Sequence, residues 1–142
     1  MKAVLDPNVL ISAAISPAGS PAELIRRWRA GQFEFVLSEE LLGELARALR
    51  YPKLRPYMEA NDVDAIIAAL RADAIVREQP RDMPGLRSRD PDDDYLIALA
   101  AASGSALVSG DRDLLELSGR LPIFTPAQFL EHLETELQAP GS

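Results

Sequence analysis

The residues best suited to chemistry in this chain are carboxylates. Asp6 directly follows a short apolar run, Lys2-Ala-Val-Leu5, and Asp111 follows another, Ser105-Ala-Leu-Val108, after a Ser-Gly step. Asp90, Asp92, Asp93 and Asp94 crowd into five positions, and Glu44 stands between Leu41 and Leu45. Carboxylates brought together repel one another and raise each other's pKa, so such a cluster is stable mainly when cations fill it. There is no cysteine, and the single histidine, His132, is expected on the surface of the last helix. Hard oxygen donors alone favour Mg²⁺ or Mn²⁺ over Zn²⁺. A divalent cation held by a few carboxylates suits phosphoryl chemistry: it acidifies bound water, and a pair of cations about 4 Å apart stabilises both the entering and the leaving oxygen.

Each acid also has an ordinary role to set beside this one. An aspartate before proline, as at Asp6-Pro7, commonly opens a turn. Asp111 or Asp113 can cap a short helix, and one of the four acids at 90–94 can cap the helix that follows them. Glu44 falls at the edge of an apolar helical stripe, where it can reach solvent or point along the rim of a sheet toward Asp6. Capping needs one carboxylate, however, and four stand at one helix start.

The elements that must position these acids follow from punctuation and period. Strands are expected at Lys2–Leu5, Phe33–Leu37, Ala74–Val76, Ser105–Val108 and Pro122–Phe124. The spacing predicts helices from Ser20 to about Gly31, with a serine cap, Pro21 and Glu23 at its start, and from Ser38 to before Pro52. Others are expected as a short piece between Leu54 and Ala60, from Asp62 through Leu70, from about Asp92 to Ser103, from Asp113 to Leu117, and from the Thr125 capping box onward. Residues 79–91 read as a loop and the tail 139–142 as frayed. Strands that are short, apolar and without period two, alternating with helices, describe a parallel sheet covered on both faces. In such a sheet ligands bind beyond the carboxyl ends of the strands, where Asp6, Asp93 and Asp111 are expected to meet.

At 142 residues, 47% apolar and 26% charged, the chain suits one domain, over 1–138, with a globular core. The lack of cysteine excludes a disulfide scaffold and a thiol nucleophile. No run reaches the roughly 20 apolar residues of a membrane span, and the start lacks a signal peptide, so a cytoplasmic protein is expected. The net charge of −7 weighs against nucleic-acid binding. Many of the acids nonetheless sit in the two clusters, while basic residues gather apart: Arg26, Arg27 and Arg29; Arg47, Arg50, Lys53 and Arg55; Arg81, Arg87 and Arg89. The ordinary reading of each group is a solvated helix face.

The order of motifs — a strand ending in Asp6-Pro-Asn-Val-Leu-Ile-Ser12, a mid-chain Glu44, Arg89-Asp-Pro-Asp-Asp-Asp-Tyr-Leu-Ile-Ala98, and Leu107-Val-Ser-Gly-Asp-Arg-Asp-Leu114 — resembles a PIN domain, with the nearest likeness to bacterial VapC-like toxins. The resemblance covers nearly the whole chain. It implies a three-layer α/β/α sandwich around a short, mostly parallel sheet of about five strands, and Mg²⁺- or Mn²⁺-dependent hydrolysis of RNA. Carried over by position, the acids are Asp6, Glu44, Asp93 and Asp111, supported by Asn8 and Ser109, with Asp94 and Asp113 as auxiliary ligands. Asp93 is preferred to Asp94 because it sets Ala100 in the family's helix register. Pro7 departs from the small residue usual after the first aspartate and stiffens that turn. Asp6, Asp93 and Asp111 are expected to hold one cation, and Glu44 a second cation or the attacking water. Backbone amides at the start of the Asp92 helix, with nearby arginines, are expected to steady the phosphate. RNA is the implied substrate, an antitoxin protein an implied partner, and a homodimer is expected, with Trp28 and Tyr57 as contacts if they do not serve packing.

Two other readings stand beside this one. A non-catalytic PIN-like RNA- or protein-binding module would use the acidic pocket for a partner's cation and never turn over. A haloacid-dehalogenase-like phosphatase also has an aspartate after strand one and a late Gly-Asp step. Asn8 stands where its second aspartate is needed, however, and Lys2 and Lys53 are the only lysines.

Overall fold

The structure, a computed structural model, describes residues 1–81 and 85–138. The expected frayed tail 139–142 and positions 82–84 of the expected loop lie outside the described residues. The elements run β1 (Lys2–Leu5), α1 (Pro7–Ile15), α2 (Ser20–Arg29), β2 (Glu34–Leu37), α3 (Glu39–Leu49), α4 (Ala60–Asp73), β3 (Ile75–Val76), α5 (Asp94–Ser103), β4 (Ala106–Val108), α6 (Arg112–Leu115), β5 (Ile123–Phe124) and α7 (Pro126–Gln138), with 3₁₀ turns at Pro52–Leu54 and Pro91–Asp93. The five strands form one sheet in the order β3-β2-β1-β4-β5, with every pairing parallel. All carboxyl ends therefore lie on one edge.

Right-handed crossovers in this order put α1–α4 over one face of the sheet and α5 and α6 over the other. Accordingly, α1 packs on α2 and α3, α3 on α4, and α5 against β1, β2 and β4. This is the expected α/β/α sandwich, and its sheet is wholly rather than mostly parallel. Leu5, Phe35, Leu37 and Leu107 from the sheet meet Leu24, Leu41 and Leu45 from one layer and Leu96, Ile97 and Leu99 from the other, all fully buried. Strands covered on both faces have no polar side to alternate, which explains their unbroken apolar runs. The sharp exit from α5 uses Gly104 at φ +64°, a left-handed cap that glycine adopts without strain.

Several boundaries differ from the sequence expectation, each for a local reason. Helix α1 was not expected: among Pro7–Ile15 only Asn8 and Ser12 are polar, so no polar face marks its period. It starts directly at Asp6, with Pro7 in its first turn, so the expected turn is a helix cap. Gly19 rather than Ser20 caps α2, and Glu23 pairs with Arg26 and Arg27 instead of reaching back to the cap. Helix α4 opens at Ala60; Asp62 sits in its first turn and accepts the Glu59 amide at 2.9 Å. The short piece expected at 54–60 is instead a 3₁₀ turn that begins at Pro52. Pro91 likewise opens a 3₁₀ turn, which delays α5 to Asp94, and α6 covers Arg112–Leu115.

Trp28 packs in the core: it is buried and meets Phe35 edge-on at 5.5 Å. Tyr57 is exposed. His132 is half-buried rather than on the open surface, stacked on Phe124 at 5.0 Å. No described helix is long and apolar enough to cross a membrane.

Candidate active site

The pairing of β1 with β4 brings the two strand-end acids together. Leu5 lies opposite Val108, and the Asp6 amide continues the ladder by donating to the Val108 carbonyl at 2.9 Å. Asp6 is thus fixed at the carboxyl edge, 3% exposed. Its Oδ1 accepts the Asn8 amide at 3.0 Å, capping α1, and its Oδ2 accepts the Ser109 hydroxyl at 2.8 Å. Burial raises its pKa above the ordinary carboxylate value, the Asn8 and Ser109 hydrogen bonds oppose the rise, and the charges of Asp111 and Glu44 add to it. Ser109 is wholly buried and also accepts the Asp111 amide at 3.0 Å, so one hydroxyl links both acids. Asp111 caps α6 by accepting the Asp113 amide at 3.0 Å. The capping role and the clustering role coexist in Asp6 and in Asp111. Asn8 supports Asp6 through its backbone and not its side chain, and the same holds for Asp113 toward Asp111.

Asp93 approaches from the start of α5. Its pKa is pushed up to about 8, first by burial, then by a hydrogen bond to Asp111 in its protonated form, then by the charges of Asp6, Asp111 and Asp90. Its Oδ2 is buried with no hydrogen-bond partner among the described residues. A buried polar oxygen without a partner costs stability and calls for a missing one. The neighbouring acids have other work. Asp90 accepts the Asp92 amide at 3.0 Å and so caps the 3₁₀ turn. Asp94 accepts the Ser88 amide at 2.8 Å and lies 3.9 Å from the Arg87 guanidinium, pinning the preceding loop.

The expected phosphate cradle at the start of this helix is not formed. The Asp92 amide is used by Asp90 Oδ1, the Asp93 amide by the Asp90 carbonyl and the Asp94 amide by the Pro91 carbonyl. The 3₁₀ turn satisfies the donors that an α-helix opening would leave free.

Glu44 reaches the group from α3 across the rim. The Tyr95 hydroxyl, from the first turn of α5, donates to its carboxylate. Burial, this bond and the charges of Glu44, Asp6 and Asp93 all raise the Tyr95 pKa, so the phenol keeps its proton. Gln79 ties the same region together: it accepts the Ser38 hydroxyl at 2.8 Å and donates to the Tyr95 carbonyl at 3.0 Å. Neither Tyr95 nor Gln79 was expected from sequence. The sign for Tyr95 was a phenol two positions after Asp93 on an otherwise apolar helix; the loop residue Gln79 carried none.

The acids interact electrostatically in pairs: Asp6 with Asp111, Asp6 with Glu44, Asp93 with Asp6, and Asp93 with Asp111. Among the described residues no three or more acids or histidines are spaced as a ready-formed metal cage. The donor chemistry nevertheless fits a hard divalent cation: all-oxygen, net negative, with one buried carboxylate oxygen unpartnered. A recess of about 420 Å³, lined by Asn8, Val9, Ser12, Pro21, Gly110, Asp111 and Pro126, opens beside Asp111. The larger apolar recess of about 510 Å³, between α1, α2, α3 and α4, lies away from the acids.

The Tyr95 contact leads to a specific expectation. Tyr95→Phe removes one donor to Glu44 and keeps the packed ring. The variant should fold with a stability loss of about 1 kcal/mol and bind Mn²⁺ about 10-fold more weakly, the lower end for loss of a residue that orients a metal ligand. Electron paramagnetic resonance of free Mn²⁺ and a thermal melt check the two halves; unchanged Mn²⁺ affinity would count against this role.

Two comparisons with known proteins bear on this arrangement. The family model described as the PIN domain matches residues 2–113, which include all four candidate acids. An uncharacterized protein of Methanocaldococcus jannaschii is 28% identical over 145 residues, covering 94% of this chain and 92% of its own length.

Proposed function

The chain belongs to the PIN-domain family, whose members are generally nucleases, and from that premise we propose that it is a metal-dependent endoribonuclease. The observation that carries the reading is Asp93: a carboxyl beside Asp6 and Asp111, driven toward its protonated form, with one buried oxygen left unpartnered. A structural cap has no need of that arrangement, whereas a cation-binding group does.

On this reading Asp6, Asp93 and Asp111 hold Mg²⁺ or Mn²⁺, and Glu44 orients the attacking water or a second ion. Bound, the cation supplies positive charge for the phosphate and makes water a better nucleophile at neutral pH. Ser109 keeps the Asp6 carboxylate aimed and sets its distance from Asp111. Tyr95 fixes Glu44 from the opposite side of the rim. Water adds across an RNA phosphodiester; the P–O3′ bond breaks, leaving a 3′-hydroxyl and a 5′-phosphate. The finer role proposed is the toxin of a toxin–antitoxin pair, which a short DNA-binding protein encoded in the adjacent reading frame would support.

The test is cleavage of a fluorescent single-stranded RNA during titration with Mn²⁺ or Mg²⁺. Cleavage that appears with metal and vanishes with EDTA is expected. Tight Mn²⁺ binding without cleavage of any RNA offered would replace the enzyme by a binding module.

A further inference from the structure

A second surface joins the carboxylate group without belonging to it. Between Glu44 and Glu59 the chain carries Arg47, Arg50, Lys53 and Arg55 and not one acid, in a protein of net charge −7. The same stretch holds Tyr51 and Tyr57, which are 59% and 58% exposed. Tyr51 and Tyr57 lie on an ordered turn and not on a loose loop: Leu54 is buried beneath it, and the Leu54 and Tyr57 amides bond back to Tyr51 and Leu54 at 2.9 Å each. Arg50 pairs with Asp64, whereas Arg47, Lys53 and Arg55 are exposed and have no ion-pair partner among the described residues.

The helix connects this patch to the site. Glu44 and Arg47 are spaced i and i+3 on α3, neighbours on its surface, and Tyr51 follows two residues beyond the helix end, where it opens the 3₁₀ turn. The Tyr51 amide still bonds to the Ala48 carbonyl at 3.2 Å, so the last turn remains closed. The Arg47 guanidinium folds back along the helix: a Cβ placed on Gly43 would meet its Nη1 at 3.6 Å. One cation therefore stands on the Glu44 turn, and exposed rings and further cations continue from it. Beside them a recess of about 440 Å³ has a floor of Leu49, Met58 and Val63, with Arg50, Arg55, Glu59 and Ala60 around it.

Exposed planar rings interleaved with unpaired cations suit a single strand: cations serve the phosphates of any strand, but the rings stack only on bases that are not already stacked in a duplex. Unstacked bases lie on aromatic faces, and phosphates follow the positive line. We propose that the stretch from Arg47 to Tyr57, with its recess, is a track that binds single-stranded RNA and leads it to the carboxylates. The choice of RNA rests on the nuclease reading; the recognition chemistry of rings and cations does not.

Binding is measured by fluorescence anisotropy of a 5′-fluorescein single-stranded RNA in EDTA, which silences cleavage, with the matching duplex as comparison. The wild type should prefer the single strand. Tyr51→Ala with Tyr57→Ala should weaken binding at least about 30-fold, about fivefold or more for each of the two lost stacking rings. Lys53→Gln with Arg55→Gln should weaken binding and reduce the slope of log affinity against log salt by about 1.4, two phosphate contacts at roughly 0.7 each. All four side chains are exposed, so circular dichroism and melting should match wild type. Wild-type affinity and salt slope in the charge variant would overturn the proposal. So would a change in sedimentation with RNA affinity intact, which would assign the patch to a protein interface. Binding in EDTA that survives alongside a failure to cleave with Mn²⁺ would remove the nuclease reading and leave the track standing.

Discussion

Asparagine at position 6 should abolish metal-dependent RNA cleavage and leave the protein folded. The Asp6 carboxylate is tied to several members of the group: it caps α1, accepts from Ser109, and feels both Asp111 and Glu44. Asp6→Asn keeps the size and one carbonyl oxygen, so the Asn8 amide retains its acceptor. The second position becomes an NH₂, and the Ser109 hydroxyl, donor in the native protein, can rotate to accept from it. What is lost is the buried negative charge. Without metal that loss relieves a carboxylate whose pKa burial has raised, so the variant's melting temperature in EDTA should equal or exceed the wild-type value. With Mn²⁺ the order reverses: the wild type gains stability by binding, and the variant gains little. Cleavage should fall by at least about 10²–10³-fold, the scale for removing one preorganised electrostatic group. Asp6→Asn protein that cleaved like wild type, or melted in Mn²⁺ with the same shift, would disprove the assigned role.

The strands were legible because burial on both faces writes itself into sequence as unbroken apolar runs, and the alternation with helices then requires a parallel sheet. The strand order places Asp6 and Asp111 together by one register, Leu5 against Val108, at the carboxyl edge where the acids were expected to meet. What sequence did not carry is instructive. Helix α1 lacked a polar face, so Asp6 read as a turn residue when it is a helix cap as well. The delayed start of α5 came from Pro91, whose 3₁₀ turn consumes the very amides expected to hold phosphate. The position of Glu44 at the edge of an apolar stripe allowed two directions, and the residue that decides between them, Tyr95, lies 51 positions away. Long-range side-chain partners of this kind leave no periodic trace. The separation of roles within Asp90–Asp94 shows the same limit: one acid caps, one anchors the loop to Ser88 and Arg87, and one enters the cluster.

That last assignment has a pH signature. The carboxyl of Asp93 is pushed up to about 8, from an ordinary 3.8, by burial, its hydrogen bond to Asp111 and the nearby negative charges. Below about pH 4 both folded and unfolded chains hold the proton. Between about 4 and 8 the unfolded chain has released it while the folded chain keeps it, so the native state binds more protons and stability falls as pH rises. The metal-free protein should therefore lose melting temperature from pH 5 to pH 8, less steeply than full burial would dictate because Asp93 is partly open to solvent. Asp93→Asn has no proton to hold, so its melting curve in EDTA should be flatter over that interval and overtake wild type near pH 8. A cation must displace the proton before it can use the carboxylate, so wild-type Mn²⁺ affinity should climb with pH, by up to about tenfold per unit, and level off above about 8. Calorimetry in buffers of different ionisation enthalpy would read the released proton directly. Parallel melting profiles for wild type and Asp93→Asn, with Mn²⁺ affinity independent of pH, would mean that Asp93 stands outside the cation's reach and that the four acids do not act as one group.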